Sequence, residues 1–422
     1  MDKVLVTGAG GFIGSHVVDA LVESGKRVTA LDRPGVPIHR RDLRPIAATI
    51  DDVDDLARAC AGQDAVFHLA AVSDVNRAYA DPVACVRANV LGTANVLEAA
   101  RRAGVARVIL ASTVWVYNAA PDDASEPLSE CTPLNVDRAS HVYTSSKLAG
   151  EMLLADWHRF YGLPYTVLRY GIPYGPRMRD ELVIAKFIRR ALAGEPLSVS
   201  QASRHFLYVG DLARAHVSAL RDVAAGQTYN LEGSELVTIR EVAEAVRDLV
   251  GRDVAIEEMP PRPGDYRDRV VTSAKAKHDL GWEAEVPFAE GLRRTFNWFL
   301  ATALHRERSR PNAAIEVALP CADQDRTRIP SNPAPLLPGC VRFGTSREVE
   351  GGRGRPETDP GDGQAAARSV STAAQRSRNR RRRSASATRS PLVATARKYW
   401  RCSSKAVQNR AAAAKLPNPR IG

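Results

Sequence analysis

Residues Lys3 to Gly14 read KVLVTGAGGFIG, a stretch that leaves the chain around it few alternatives. Val4, Leu5 and Val6 form a continuous apolar run suited to a central parallel strand buried on both faces. Gly8, Gly11 and Gly14 follow three apart. The first permits a tight turn, the second lets backbone approach a pyrophosphate with no β-carbon in the way, and the third lets a helix lie close to the strand. The amphipathic stretch ending at Gly25 supplies that helix, and its first turn, with Phe12 and Ile13, points N–H groups at the phosphate position. A second strand, Arg27 to Leu31, delivers Asp32, whose carboxylate can accept from both adenosine ribose hydroxyls and repels a 2′-phosphate. NAD is therefore expected over NADP, with Arg33 as the residue that opposes that preference.

Strand-like and helical patterns then alternate, which predicts an α/β doubly wound parallel sheet of Rossmann type. The third buried strand, Ala65 to His68, runs into Leu69, Ala70 and Ala71, small residues at the sheet edge where ligands lie. A long helix is expected over Pro82 to Ala103, with Asn89 inside it; asparagine is a poor mid-helix residue, so its side chain should have a specific partner. Strand Arg107 to Ala111 ends in Ser112 and Thr113, two hydroxyls in place to touch a substrate. Tyr143 and Lys147 then stand four apart at the start of a helix reaching about Tyr161, so both side chains share one face. A free phenol, with a pKa of about 10, is a poor base at neutral pH. A neighbouring ammonium and a positive nicotinamide ring both favour the phenolate, so Tyr143 could take a proton from a substrate hydroxyl held in line by Thr113.

Beyond strand Tyr165 to Arg169 a smaller C-terminal α/β region begins. A helix is expected over Glu181 to Leu192, a strand over His205 to Val209, Asp211 as the N-cap of the next helix, and a capping box at Thr238 and Glu241. Arg204, with Arg262 in the turn Arg262-Pro263-Gly264-Asp265, would suit a diphosphate, because guanidinium matches phosphate oxygens in a fork. The helix from Phe288 to Leu304 closes the body. The expected division is 1–171 plus 205–232 for NAD, 172–204 plus 233–305 for substrate, and 306–422 as a disordered arginine-rich tail.

The tail matters when charge is interpreted. Residues 306–422 hold 24 Lys+Arg against 9 Asp+Glu, so of the net +11 about +15 belongs to the tail and about −4 to residues 1–305. The body does not call for a polyanion, and a nucleic-acid partner is expected, if at all, only through the tail. Six cysteines lie scattered without metal-ligand spacing, so no metal site is expected and a reducing compartment is favoured. The core strand starts at residue 3 and no apolar run would span a bilayer, so neither a signal peptide nor membrane association is expected, and the location expected is cytoplasmic.

Together TGAGGFIG, HLAA, Asn89 with Gly92-Thr93, STVWVY, YTSSK, LRYGIPYGP and RPGD give residues 3–300 a close resemblance to the extended short-chain dehydrogenase/reductase family, within it to the NAD-dependent epimerase/dehydratase group typified by UDP-glucose 4-epimerase. The resemblance implies that Tyr143 is the catalytic base, that Lys147 binds the nicotinamide ribose and tunes that base, and that Thr113 positions the sugar hydroxyl. It also implies that Ile50, Asn89 and Tyr170 lie against the cofactor, that Ile172, Arg204, Arg262 and Asp265 contact a nucleotide-sugar substrate, and that the chain forms a homodimer through the helices carrying Asn89 and Tyr143. Three positions depart from the group's pattern: Thr49 stands where many members place an adenine-contacting Asp, Ile172 where the group usually has Asn, and the loop Ser198 to Ser203 is short. A fourth departure bears on chemistry. Sugar 4,6-dehydratases carry an Asp-Glu pair after the Thr because elimination needs an acid and a base beside the oxidised sugar, and here those positions are Val114 and Trp115. The expected function is thus a nucleotide-sugar epimerase working by transient oxidation. A net oxidoreductase acting on a smaller alcohol or ketone, and an NAD-binding regulatory protein with a nucleic-acid-binding tail, are the alternatives.

Overall fold

The computed structural model describes residues 1–43, 45–139, 141–260 and 269–308. Its strands, in chain order, are β1 (Lys3–Thr7), β2 (Arg27–Asp32), β3 (Pro45–Ala47), β4 (Ala65–His68), β5 (Arg107–Thr113), β6 (Tyr165–Tyr170), β7 (Ile172–Tyr174), β8 (Leu197–Val199), β9 (Ser203–Tyr208), β10 (Gln227–Leu231), β11 (Leu236–Thr238) and β12 (Ile256–Glu258). Seven of them form one parallel sheet in the order β10-β6-β5-β4-β1-β2-β3. The order reverses between β1 and β4, and at such a switch point the connections leave a crevice beyond the strand ends.

Alternation along the buried strands explains the layering. Val4, Val6 and Phe67 face a core shared with Val17, Val18 and Leu21 of the helix Phe12–Glu23. Leu5 and Val66 face the opposite core with Leu56, Val96, Leu97 and Leu154. Because both faces are covered, the strands carry apolar residues at every position rather than at every second one. A separate core packs Tyr174, Phe187, Ile188, Phe206, Val242, Val246, Phe288 and Leu292 around the small sheet β11-β9-β7.

The glycine turn is sterically obligatory. Gly8 has φ +72°, and a β-carbon there would lie 2.8 Å from the Ala70 nitrogen, where the chain leaving β4 passes over the turn. At Gly14 a β-carbon would stand 2.0 Å from the Gly8 carbonyl oxygen, so no side chain fits while the helix keeps its position against β1.

Several sequence expectations need correction. The segment Pro82 to Ala103 is not one helix: Pro82–Val86 and Gly92–Arg102 are joined by a π-helical turn over Arg87–Leu91 that contains Asn89. Asp211 is not an N-cap but lies inside the helix Val209–Ser218, where its carboxylate accepts from the Glu285 and Val286 amides at 2.9 Å each. The strand before it starts two residues earlier than expected, at Ser203, and the last helix runs Phe288–Arg308, past Leu304. The Thr238/Glu241 capping box is present. The expectation of a disordered tail falls, from residue 309 onward, outside the described residues.

One buried ion pair fixes the helix that carries Tyr143. Glu151 of the helix Val142–Tyr161 accepts two hydrogen bonds from Arg169 of β6, at 3.0 and 2.7 Å, and a third from Ser112 of β5 at 2.5 Å. Side-chain exposure of the pair is 3% for Arg169 and 5% for Glu151, so removing one partner strands a charge in the core. Arg169→Met is expected to lower stability by about 3–5 kcal/mol in urea unfolding; a loss within experimental error would show that the pair does not hold the helix.

Candidate active site

A cleft of about 1320 Å³ runs along the carboxyl ends of the central strands and continues over the smaller region. It is lined by Gly8, Gly11, Phe12, Ile13, Gly14, Asp32, Arg33, Ile50, Leu69, Ala70, Ala71, Thr113, Tyr143, Lys147, Tyr170, Ile172 and Arg204, so most residues singled out from the sequence converge on one space. Arg262 and Asp265 lie outside the described residues. Asn89 does not line the cleft and sits one layer behind it.

The dinucleotide end is shaped for an anion and a ribose. The helix Phe12–Glu23 begins at Gly11 with no side-chain cap and no acid in its first turn, so its leading N–H groups remain available to an anionic ligand. Asp32 accepts from the Gly10 amide at 2.9 Å and from the Arg33 amide at 2.8 Å, which orients its carboxylate at the rim. The Ile50 wall is held by Asn95, whose side-chain amide donates to the carbonyls of Ile50 and Asp51 at 2.9 and 3.1 Å. This donor set fits a dinucleotide: N–H groups for phosphates, a carboxylate for ribose hydroxyls, apolar walls for rings.

Behind the wall runs a chain of hydrogen bonds whose directions can be assigned. Thr93 donates to the Asn89 carbonyl at 2.6 Å, so its oxygen accepts from Nε2–H of His68 at 3.1 Å. Nδ1 of His68 is then the acceptor, and Thr7 donates to it at 2.9 Å while receiving the Ala70 amide at 3.3 Å. Burial pushes His68 down to about 3, consistent with this neutral tautomer. Asn89 clamps Val72, accepting from its amide at 2.7 Å and donating to its carbonyl at 2.9 Å, and also donates to Ser146 at 2.9 Å. The specific partner expected for Asn89 is therefore protein backbone, and the π-helical turn is what aims its side chain there.

Tyr143 and Lys147 enter the cleft one turn apart, each 8% exposed. His141 caps their helix, its Nδ1 accepting the Thr144 amide at 3.1 Å. Burial pushes the Tyr143 phenol up to about 12, against the opposing pull of a hydrogen bond with Thr113 and the charge of Arg179. Lys147 donates to the Ala111 carbonyl at 3.0 Å, and burial pushes its ammonium down to about 8. From the sequence, the Lys147 charge is expected to lower the Tyr143 phenol; in the folded protein Thr113 and Arg179 act in that direction and desolvation outweighs them. Tyr170 is not a competing base, because its hydroxyl donates to Nε2 of the buried His216 at 2.6 Å, whose Nδ1–H is committed to the Leu212 carbonyl at 2.9 Å.

Trp115 and Arg179 line the cleft and were not assigned to it from the sequence. Trp115 could have been found as the first residue after the Thr113 hydroxyl able to turn back; its ring lies 5.4 Å from that of His141. Arg179 carried no signal beyond the Arg-Met-Arg alternation that follows Gly175-Pro176. Val114 is fully buried and does not line the cleft.

Sheet order and the glycine turn define a dinucleotide-binding fold of Rossmann type. The family description "NAD dependent epimerase/dehydratase family" matches residues 4–231, and the chain belongs to that family. The dTDP-glucose 4,6-dehydratase of Streptomyces niveus is 33% identical over 317 residues, covering 70% of this chain and 92% of that protein. The UDP-glucose 4-epimerase of Mycolicibacterium smegmatis is 32% identical over 313 residues, covering 70% and 98%. The crystal structure of the UDP-glucose 4-epimerase of Thermus thermophilus in complex with NAD matches with a TM-score of 0.64 and 33% identity, covering 71% and 99%. Family dependence on NAD thus agrees with what the dinucleotide end offers.

The lowered Lys147 carries a pH signature. An unfolded chain holds this proton to about 10.5 and the folded one only to about 8, so charged Lys147 costs stability below about 8 and the cost disappears as pH rises to about 10.5. Lys147→Met is expected to be more stable than the parent at neutral pH, with the gap closing across that interval in parallel unfolding curves. A gap that does not change with pH would contradict the assignment.

Proposed function

We propose that the protein is an NAD-dependent nucleotide-sugar epimerase that oxidises a sugar hydroxyl, lets the keto-sugar present its other face, and reduces it again. The observation that carries this reading is the pairing of Tyr143 with Thr113 in a cleft that Val114, the next residue, does not reach and that Trp115 lines with an indole, so neither can serve elimination as acid or base. Bound NAD supplies the hydride acceptor and donor. In this reading Tyr143 takes the hydroxyl proton and later returns it, Thr113 holds the oxygen in line, and Lys147 adds positive charge beside the phenolate. Gly8, Gly11, Phe12, Ile13, Gly14, Asp32 and Ile50 hold the dinucleotide, and Ile172 and Arg204 face the substrate. Asn89 serves the cofactor indirectly, through Val72.

The protein is read as a cytoplasmic homodimer. Support for the dimer comes from Val83, Leu91 and Met152, exposed at 76, 51 and 48% on the segments around Asn89 and Tyr143. Among the described residues no helix is long and apolar enough to cross a membrane.

Purified protein is expected to interconvert UDP-galactose and UDP-glucose, or another pair of nucleotide-sugar epimers, without net consumption of NAD. Tyr143→Phe should retain NAD while turnover falls by about 10²–10⁴. Stoichiometric release of reduced cofactor would favour a net oxidoreductase, and near-full activity in Tyr143→Phe would remove Tyr143 from the chemistry.

A further inference from the structure

The segment after β7 is built so that three consecutive side chains go to three places. Arg177 has φ +64°, a left-handed conformation costly for a residue with a β-carbon, and its guanidinium is spent on Asp19 of the helix Phe12–Glu23 at 2.6 Å. Met178 is buried in the smaller core at 4% exposure. Arg179 is thereby delivered to the cleft, with 29% of its side chain exposed. Among the described residues its guanidinium makes no hydrogen bond, and its one ion pair is to Asp74 at 3.8 Å, through the carboxylate oxygen that does not accept the Arg77 amide at the N-cap of the helix Val75–Ala80. The guanidinium therefore keeps donors unspent beyond that long contact, and it lines the same cleft as Tyr143.

This cation is separate from those that suit the diphosphate. Lys186, Arg190 and Arg204 line the arm of the cleft formed by the helix Val183–Ala193 and β9. Arg179 lines the same cleft as Tyr143, and its charge acts on the phenol across it. Hydroxyls of a neutral hexose would leave a guanidinium there poorly matched, whereas a carboxylate satisfies it in two parallel hydrogen bonds.

We infer that Arg179 is a specificity-determining residue that receives a carboxylate on the sugar, and that the substrate is a nucleotide-linked sugar acid. This rests on reading the cleft as a nucleotide-sugar site. Ile172 also lines the cleft and offers an apolar surface with no hydrogen bond for a neutral hydroxymethyl group.

The test is calorimetric titration of the full chain carrying Tyr143→Phe, with NAD present, using UDP-glucuronate, UDP-glucose and UDP. The acid is expected to bind about tenfold or more tightly than the neutral sugar. Adding Arg179→Leu should erase that difference and leave UDP affinity unchanged, while Arg179→Lys, which keeps the charge and loses the fork, should retain part of it. Equal binding of acid and neutral sugar in the parent, or a loss of UDP affinity in Arg179→Leu as large as the loss for the acid, would overturn the inference. If UDP binds and the acid is not preferred, only this inference falls; if none of the three ligands binds, the nucleotide-sugar reading falls with it.

Discussion

Desolvation at the carboxyl edge of the sheet is the constraint from which the rest follows. Withdrawing Tyr143 and Lys147 from water moves their proton affinities in opposite directions, the phenol up to about 12 and the ammonium down to about 8. A phenol so placed is too weakly acidic to work unaided, and each positive charge brought to the cleft has a large effect on it because little solvent screens the interaction. The site is therefore quiet in the bare protein and responsive to what enters. Arg179 and the Thr113 hydroxyl supply part of the response, and a cationic ring would supply more.

Holding two ionisable groups in such a place requires rigid backing, and two buried polar networks provide it. One runs from Thr7 through His68 and Thr93 to the Asn89 carbonyl, while the Asn89 side chain ties Val72 to Ser146, whose hydroxyl returns to the Tyr143 carbonyl at 2.8 Å. The other joins Ser112, Glu151, Arg169 and Tyr117 to Asn230, and so spans β5, β6, β10 and the helix carrying Tyr143. Each network begins on a sheet strand and ends one residue or one turn from the reacting groups. Sheet geometry thereby becomes side-chain position.

How much of this was legible beforehand depends on whether the information is local. The turn at Gly8 and Gly14, the two-face burial of β1, and the Tyr143/Lys147 spacing are written in contiguous residues, and backbone sterics and helical periodicity suffice to decode them. The π-helical turn at Asn89 was not decodable in the same way. An apolar pattern through Pro82 to Ala103 suits a helix, and the extra residue in the turn is imposed by partners at Val72 and Ser146, far off in the chain. Asp211 misled for a related reason: an acid near a helix start looks like a cap until the Glu285 and Val286 amides, more than seventy residues away, are seen to claim it. Arg179 was missed because its place in the cleft depends on the left-handed turn at Arg177 and the burial of Met178, which only the folded chain reveals.

The central claim is that the buried Tyr143 phenol is brought into working range by positive charge arriving in the cleft. Ultraviolet difference titration of the phenolate, with the Tyr143→Phe signal subtracted, tests this most directly when the oxidised and reduced cofactor complexes are compared. The account predicts that the phenolate appears at a distinctly lower pH when the nicotinamide is positively charged than when it is neutral. The same midpoint in both complexes would contradict it.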